Sequence, residues 1–374
     1  MSVGDPTITR VDVSTYRVRT AAPEADGTAT WDGTELVVVQ PHAGGAVGLG
    51  WSYCAAPAAA AVIRDELLPV VLDRSALDVP GLWQRMAAAV RNAGRPGLVS
   101  MAIAAVDVAL WDLKAKLLEL PLDRLLGRCR DAVPVYGSGG FVSLDDAELT
   151  AQLRHWTDDV GVSAVKIKVG ERWGQASDRD LARARRARAV IGDDVELFVD
   201  ANGGYTLGQA RRLGASYDDL GVTWFEEPVS SDDLTGLASL RGRLRCDIAA
   251  GEYADSSGYA ERMCAAGAVD CLQLDVTRCA GITEWLRAAA VAAAHGLQVS
   301  GHCAPALHVA PALAAPNLRH VELFADHERL EPMLFDGVPP VRGGHLLPTD
   351  SPGNGMSLAA RAESHCTSAA ATSR

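Results

Sequence analysis

Ionisable side chains stand at the ends of seven successive short apolar runs in this 374-residue chain. In order they are Lys168 with Lys166, Asp200, Glu226, Glu252, Asp275, His302 and Glu322. If the runs are the strands of a parallel barrel, their carboxyl ends meet at one face and these side chains converge. Three carboxylates on neighbouring runs would repel one another without a cation. Oxygen ligands suit a hard divalent ion, Mg²⁺ before Mn²⁺.

Two groups that can transfer protons flank the three carboxylates. Lys168 follows the second run, and His302 follows the seventh. The alternation in VKIKV puts Lys166 and Lys168 on one face of a strand, which we expect to be the barrel interior. Asp275 could hold the His302 imidazole by a hydrogen bond and fix its tautomer. A base on each side of a bound substrate suits proton transfer at one carbon.

Each of these side chains, taken singly, has a structural interpretation. Asp200 in VDANGG could cap a turn, as Asp often does. Glu226 and Glu227 could be a solvated loop pair, and His302 could be a buried histidine of the core. The combination of all of them in order favours a catalytic site.

The elements that must position these groups are short apolar runs that alternate with helical stretches. Such alternation is typical of βα units on a parallel barrel. The eight runs cover residues 133–137, 164–169, 196–200, 222–226, 247–251, 271–275, 298–301 and 320–323. Residues 331–352 are rich in Pro and Gly and do not predict an ordinary eighth helix.

The earlier part of the chain has a mixed pattern. Residues 8–18 and 35–40 alternate as strands do, and residues 20–33 have the composition of a long loop. Helical periodicity covers residues 58–72, 81–93 and 100–118. We therefore expect an α+β unit ahead of the barrel.

Composition excludes several other classes of protein. Apolar residues make up 48% and charged residues 22%, which is typical of a globular protein. The net charge of −12 disfavours nucleic acid or an anionic membrane as a partner. We find no apolar stretch of about 18 residues and no signal-peptide pattern. The eight cysteines form no CxxC, so we expect reduced thiols and a cytoplasmic location.

The motifs KIK, DANGG, WFEEP, GE, QLDVTRCAGIT, GH and VELF occur in that order, and MAIAAVDVALWDLKAKLLELPLDRLLG precedes them. Together they resemble the mandelate racemase subgroup of the enolase superfamily over nearly the whole chain. The resemblance implies an α/β fold: a (β/α)7β TIM-like barrel with an N-terminal α+β capping domain completed by the C-terminal segment. We predict the cap at 1–128, the barrel at 129–330, a segment returning to the cap at 331–362 and a mobile tail at 363–374.

The resemblance also implies roles by position. Asp200, Glu226 and Glu252 become the Mg²⁺ ligands. Lys168 becomes the base on one face, with Lys166 beside it. His302, paired with Asp275, becomes the acid/base on the other face.

Further positions are implied for substrate contact. Glu322 would contact a substrate carboxylate oxygen, which requires it to be protonated or tightly hydrogen-bonded. Asn202 matches a residue that touches the α-hydroxyl, and Glu227 would support the metal ligands from behind. Trp31 and Tyr53 fall in the capping loops that close the site over substrate.

The implied chemistry is Mg²⁺-dependent removal of the proton α to a carboxylate, giving a metal-stabilised enediolate. Most relatives with a Lys base and a His–Asp pair dehydrate acid sugars, so we expect an aldonate or aldarate dehydratase. Racemisation or epimerisation of a 2-hydroxy or sugar acid, and cycloisomerisation, are the alternatives. The capping segment has little cationic character beyond Arg17 and Arg19, which disfavours a diacid.

Two readings from other classes are weaker. A retaining glycosidase could use Glu226 and Glu252 as its carboxylate pair, but the two lysines and the His302–Asp275 pair would have no role. A non-catalytic sugar-acid-binding protein usually has lost bases or ligands, and none is missing here. We expect a small-molecule carboxylate as substrate and, by analogy with the family, a homo-oligomer between dimer and octamer.

Overall fold

The computed structural model describes residues 5–373 and begins with an antiparallel sheet covered by helices. Residues 1–4 of the predicted cap lie outside the described residues. The elements of this cap are β1 (Arg10–Ala25), β2 (Thr30–Ala43), β3 (Ala46–Val47), β4 (Gly50–Tyr53), α1 (Ala56–Val62), a π-helical turn (Ile63–Leu67), α2 (Leu68–Val71), α3 (Val79–Ala89), α4 (Leu98–Leu117) and α5 (Leu122–Leu126).

The segment 20–33, predicted as a loop, is mostly strand. The ladder between β1 and β2 continues to the pairs Glu24↔Trp31 and Ala25↔Thr30. Asp26 closes the turn because its Oδ1 accepts hydrogen bonds from the backbone N–H groups of Thr28, at 2.6 Å, and of the next residue, at 2.7 Å. A side chain that organises its own turn is a common role of Asp. The loop prediction was wrong because it followed composition alone.

A closed barrel of eight parallel strands follows the cap, as predicted. The last strand pairs with the first, which removes the sheet edges. The strands are β5 (Val133–Gly139), β6 (Ala164–Lys168), β7 (Glu196–Asp200), β8 (Val222–Glu226), β9 (Asp247–Ala250), β10 (Cys271–Leu274), β11 (Gln298–Gly301) and β12 (Leu318–Phe324).

Helices connect the strands and cover the outside of the barrel. They are α6 (Asp146–Arg154) with a π-helical turn (His155–Val160), α7 (Glu171–Gly174), α8 (Ser177–Ile191), α9 (Leu207–Asp219), α10 (Leu234–Arg241), α11 (Ser257–Ala265), α12 (Ile282–Ala294), α13 (Pro305–Ala314) and α14 (Ala325–Leu334). The last of these follows β12 directly, and the prediction lacked it. Acidic residues in its first turn, Asp326 and Glu328, favour a helix start there.

The C-terminal segment runs back along the barrel to the cap. It comprises β13 (Phe335–Asp336), β14 (Val341–Arg342), β15 (His345–Leu346), β16 (Ser357–Leu358), a 3₁₀ helix (Ala360–His365) and β17 (Cys366–Ser373). The tail predicted to be mobile is therefore a strand through Ser373, paired antiparallel with β1, and residue 374 lies outside the described residues. Backbone ladder bonds hold it, and the Thr15 and Thr367 hydroxyls lie 2.7 Å apart. The composition of the tail suggested mobility. Ladder hydrogen bonds, however, join backbone groups and do not depend on which side chains are present.

Apolar side chains fill the amino-terminal part of the barrel interior. They form a buried cluster of Tyr136, Ala164, Phe198, Trp224, Ala249 and Cys271. Ala164 lies two residues before Lys166 on the same strand, so the lysines begin where this apolar layer ends. The open space of the barrel is therefore confined to the carboxyl ends of the strands.

One buried carboxylate joins the cap to the barrel. Asp107 on α4 accepts hydrogen bonds from the backbone N–H of Thr283 at 2.9 Å and from its hydroxyl at 2.7 Å, at the start of α12. Burial raises the pKa of Asp107 to about 7. The same carboxylate thus caps a barrel helix and fixes the cap against it.

None of the helices in the range 5–373 is long and apolar enough to cross a bilayer.

Candidate active site

The two lysines of β6 point into the barrel, as the alternation predicted. Val165 and Ile167 between them are fully buried on the opposite side, while Lys166 is 0% exposed. Lys166 Nζ lies 2.5 Å from Glu226 Oε1 and 2.8 Å from Glu322 Oε1. Its ammonium group therefore neutralises carboxylates on two distant strands.

Lys168 lies two residues further along β6, at its carboxyl end, and lines a cavity of about 360 Å³. Its Nζ is 2.5 Å from Asp200 Oδ2. Burial acts to lower the pKa of Lys168, and so does the like charge of Lys166. Contact with the Asp200 carboxylate raises the pKa and outweighs both, so the pKa of Lys168 lies above its ordinary value.

Three carboxylates stand on adjacent strands, in the order predicted. The residues Lys168, Asp200 and Glu226 are direct neighbours across β6, β7 and β8. Glu252 follows two residues after the end of β9. Asp200 and Glu226 are fully buried, and burial raises the pKa of Glu226 to about 8 against the opposing effect of Lys166. The set of donors is anionic and consists of oxygen alone.

His302 and Asp275 form the predicted pair. His302 Nδ1 lies 2.7 Å from Asp275 Oδ2, and the other oxygen of Asp275 accepts hydrogen bonds from the N–H and hydroxyl of Thr277. His302 Nε2 lies 3.1 Å from Glu252 Oε2. Burial acts to lower the pKa of His302, but neighbouring Cys303 and Glu252 are the leading groups that raise it well above its ordinary value. The imidazole is thus oriented and favours its protonated form.

Contact with a substrate carboxylate requires Glu322 to be either protonated or tightly hydrogen-bonded, and in the structure it is tightly hydrogen-bonded. Ser138 Oγ donates to Glu322 Oε1 at 2.5 Å, and the Cys303 N–H donates to Oε2 at 2.9 Å. Burial acts to raise the pKa of Glu322, yet Lys166 and His302 hold it well below its usual range. Glu322 is therefore ionised and tightly hydrogen-bonded.

Arg278 is a component of the site that the sequence analysis did not identify. Its Nη1 lies 2.8 Å from Glu252 Oε1 and its Nε lies 3.5 Å from Asp275 Oδ2. The Tyr253 ring covers the guanidinium at 5.4 Å. Arg278 follows Asp275 by three residues in QLDVTRCAGIT, so its place just past a strand end was the available signal. It links a predicted metal ligand to the carboxylate that orients His302.

Asn202 and Glu227 both adopt the left-handed backbone region, with φ of 45° and 38°. Asn202 lines the cavity, and its Oδ1 is buried without a hydrogen-bond partner. Glu227 lies behind the cavity, 1% exposed, and its Oε1 also lacks a partner. Such strain in a non-glycine residue clusters at functional sites.

Trp31 and Tyr53 of the cap line the cavity. Trp31 packs edge-on against Phe141 with ring centroids 5.5 Å apart. Tyr53 stacks on His327 at 3.7 Å. His327 and the other cap-side lining residues were not predicted, because they come from segments that are distant along the chain.

The predicted residues divide into two layers around the cavity. Those that line it are Lys168, Asn202, Glu252, Asp275, His302, Trp31 and Tyr53. Those buried beneath its floor are Lys166, Asp200, Glu226, Glu227 and Glu322. A buried floor of opposite charges below a polar cavity suits chemistry on an anionic substrate.

Known proteins share both the sequence and the fold. Arabinonate dehydratase from Saccharolobus solfataricus is 31% identical over 84% of this chain and 85% of its own length. A 3,6-anhydro-alpha-L-galactonate cycloisomerase from Streptomyces coelicolor is 31% identical over 94% of this chain and 97% of its own.

Solved structures superimpose closely. A mandelate racemase/muconate lactonizing enzyme-like protein from Rubrobacter xylanophilus has a TM-score of 0.93 at 44% identity, covering 97% of this chain and 100% of that one. A second structure is that of L-talarate/galactarate dehydratase from Salmonella typhimurium, liganded with Mg and L-lyxarohydroxamate. It has a TM-score of 0.91 at 27% identity, covering 99% of this chain and 95% of that one.

Two family models match this sequence. Residues 9–127 match the mandelate racemase/muconate lactonizing enzyme N-terminal domain, and residues 148–362 match the enolase C-terminal domain-like family. The chain belongs to the mandelate racemase/muconate lactonizing enzyme family of the enolase superfamily.

Proposed function

We propose that this protein is a Mg²⁺-dependent acid-sugar dehydratase. It removes the proton α to the substrate carboxylate and expels the β-hydroxyl as water, leaving a 2-keto-3-deoxy acid. The observation that carries the proposal is that Lys168 and His302 line one cavity from β6 and β11, with Glu252 also on its wall. In the closed ring of eight strands, β6 and β11 are three strands apart by the shorter path, so the two groups approach a bound substrate from different sides.

The residues present fit a divalent cation. Asp200, Glu226 and Glu252 would hold it, since buried carboxylate oxygens on adjacent strands match the ligands that Mg²⁺ prefers. The chemistry that the ion supplies is stabilisation of the negative charge that gathers on the substrate carboxylate as the α-proton leaves.

The structure draws a different group of possible ligand atoms together. His302, Cys303 and Glu322 each have one such atom within 4.8 Å of the others, whereas Asp200, Glu226 and Glu252 are paired with Lys168, Lys166 and Arg278. The imidazole of His302 is already oriented by Asp275, and Glu322 is paired with Lys166. The mixture of S, N and O donors in this group suits a softer metal than Mg²⁺.

The protons are handled by the chain's own residues. Lys168 Nζ accepts the α-proton. The like charge of Lys166 lowers the pKa of Lys168, and a cation held by Asp200 would offset the carboxylate that otherwise raises that pKa. His302 Nε2 donates a proton to the departing β-hydroxyl, and Asp275 holds the ring in the required orientation. The ammonium group of Lys166, which ionised Glu322 holds in place, attracts the carboxylate end of the substrate, and the enol product of the elimination then tautomerises to the ketone.

A screen of aldonates and aldarates with Mg²⁺ tests the proposal. We expect a 2-keto acid to form from at least one acid and to disappear when the ion is chelated. Formation that is unaffected by chelation, or its absence across the set together with absence of α-proton exchange, would contradict the proposal.

An isomerase is the second candidate, because a proton donor on each side of a substrate also serves racemisation, epimerisation or cycloisomerisation. One of the relatives above carries a cycloisomerase name. The product separates the two: an isomerase gives exchange at the α-carbon and an isomeric acid, with no 2-keto acid.

We also propose that the protein is a cytoplasmic homo-oligomer. All eight cysteines are unpaired, which suits a reducing compartment. Exposed Trp173, Leu118 and Leu120, at 64%, 43% and 41%, offer apolar surface for association. Sedimentation velocity at several protein concentrations tests the association.

A further inference from the structure

Besides the proton-transfer groups of the barrel, the cavity is lined by strands and the turn of the cap and by the junction of β12 with α14. Six side chains of these segments are Asp26, Trp31, Glu35, Tyr53, Phe324 and Asp326. Three are aromatic and three are carboxylates. We call these six residues the far wall.

Cations are absent from the far wall. Among the described residues, the lysine and arginine side chains that line the cavity are Lys168 and Arg278, at the barrel end. Each already contacts a carboxylate there, Lys168 that of Asp200 and Arg278 that of Glu252. Next to the far wall, His327 accepts a hydrogen bond from the Ala304 N–H at Nδ1, and burial lowers its pKa to about 4.

Two arginines behind the far wall are occupied by its own carboxylates. Arg329 pairs with Asp326, which also accepts a hydrogen bond from the Thr34 hydroxyl. Arg17 lies 3.3 Å from Glu35 and 2.7 Å from Asp32, and Arg19 also contacts Asp32 at 3.9 Å, so both guanidinium groups beside β2 are paired with acids.

Asp26 differs from the other two carboxylates of the wall because only N–H and hydroxyl groups of its own turn are bonded to it. The far wall therefore presents negative charge and hydrogen-bond acceptors to whatever occupies the cavity.

We infer that the substrate is a monocarboxylate sugar acid whose far end carries uncharged hydroxyl groups, and that the corresponding dicarboxylate is rejected. This inference rests on the proposed function, which fixes the substrate carboxylate at the barrel end. A hydroxyl group at the far end donates to Glu35 or Asp26. A second carboxylate there would face like charges without a cation among the lining side chains, and a juxtaposition of like charges is costly.

Matched pairs of aldonates and aldarates with the same configuration test the inference. For each pair, kcat/KM for 2-keto acid formation and the rate of α-proton exchange in D₂O are measured with Mg²⁺ present. We expect kcat/KM to be at least about a hundred-fold higher for the aldonate. Equal or faster turnover of an aldarate overturns the inference but leaves the proposed function intact. Absence of exchange in every acid of both sets overturns the proposed function and the inference with it.

A charge reversal on β2 provides the second test. Glu35→Lys puts a cation on the far wall, and Glu66→Lys makes the same change of charge at an exposed residue of the cap that does not line the cavity. We expect Glu35→Lys to narrow the ratio of kcat/KM for aldonate to kcat/KM for aldarate at least about ten-fold, and Glu66→Lys to change that ratio less than about two-fold. An unchanged ratio in Glu35→Lys, or equal narrowing in both variants, overturns the assignment of the far wall.

Discussion

His302 Nδ1 lies 2.7 Å from Asp275 Oδ2, and both side chains are almost completely buried. The second oxygen of Asp275 is held by Thr277, so the carboxylate cannot turn away from the ring. Burial acts to raise the pKa of Asp275, but the hydrogen bond and charge of His302 lower it to about 2. The imidazole is thereby fixed with Nε2 toward Glu252 and the cavity.

Asp275→Asn should leave the fold intact and reduce kcat for 2-keto acid formation about a thousand-fold, with a much smaller change in KM. An amide cannot balance the charge of a protonated imidazole, so the pKa of His302 should fall. The alkaline limb of the pH profile of kcat should therefore move to lower pH. Steady-state kinetics between pH 6 and about 9 measure both effects. A loss below about ten-fold with an unchanged profile would show that Asp275 does not position the acid.

Glu252→Gln should weaken Mg²⁺ binding at least about a hundred-fold, because it removes one of three anionic ligands. Calorimetric titration with Mg²⁺ measures this without reliance on turnover. Glu261→Gln on α11, a solvent-exposed carboxylate paired with His295, is the matched control and should bind as the wild type does. Equal affinity in Glu252→Gln and the control would remove Glu252 from the metal site.

Asp107 should make the stability of the protein depend on pH. Its pKa in the folded state, about 7, is above the ordinary value of 3.8. Its contribution is therefore complete below about pH 4 and is lost as the pH rises through about 7. Asp107→Asn should show a shallower fall in the free energy of unfolding over that window, measured by denaturant titration at several pH values. Asp131→Asn, on a fully exposed carboxylate, serves as control. Parallel slopes for all three proteins would contradict the assignment.

Deleting residues 366–374 should lower the midpoint of thermal unfolding by at least about 2 °C, because β1 loses β17, one of its two partner strands. Deletion of residue 374 alone is the control, since it keeps every described pair of the ladder as far as Ser373. If the two deletions have the same midpoint of thermal unfolding, β17 contributes nothing to stability.

The sequence predicted the barrel and the catalytic strand ends well, because both depend on local signals. Apolar runs mark the strands, and an ionisable residue at each carboxyl end must face its neighbours once the barrel closes. The pair Lys166 and Lys168 was placed correctly by alternation alone, since the period of a strand fixes which side chains share a face.

Features that depend on contacts between distant segments were not predicted. The far wall combines Asp26 and Glu35 of the cap with Asp326 of α14, and no local pattern connects them. The strand β17 is held by a ladder to β1, at the other end of the chain. Arg278 has a local signal, but its role depends on Glu252, which only the folded barrel brings within 2.8 Å.

The central claim is that Lys168 removes the α-proton and His302 completes the elimination. The most direct measurement is ¹H NMR in D₂O with Mg²⁺ and an accepted acid, comparing His302→Asn with Lys168→Ala. We expect His302→Asn to exchange the α-proton for deuterium without forming 2-keto acid, and Lys168→Ala to do neither. Exchange that persists in Lys168→Ala and is lost in His302→Asn would contradict the central claim.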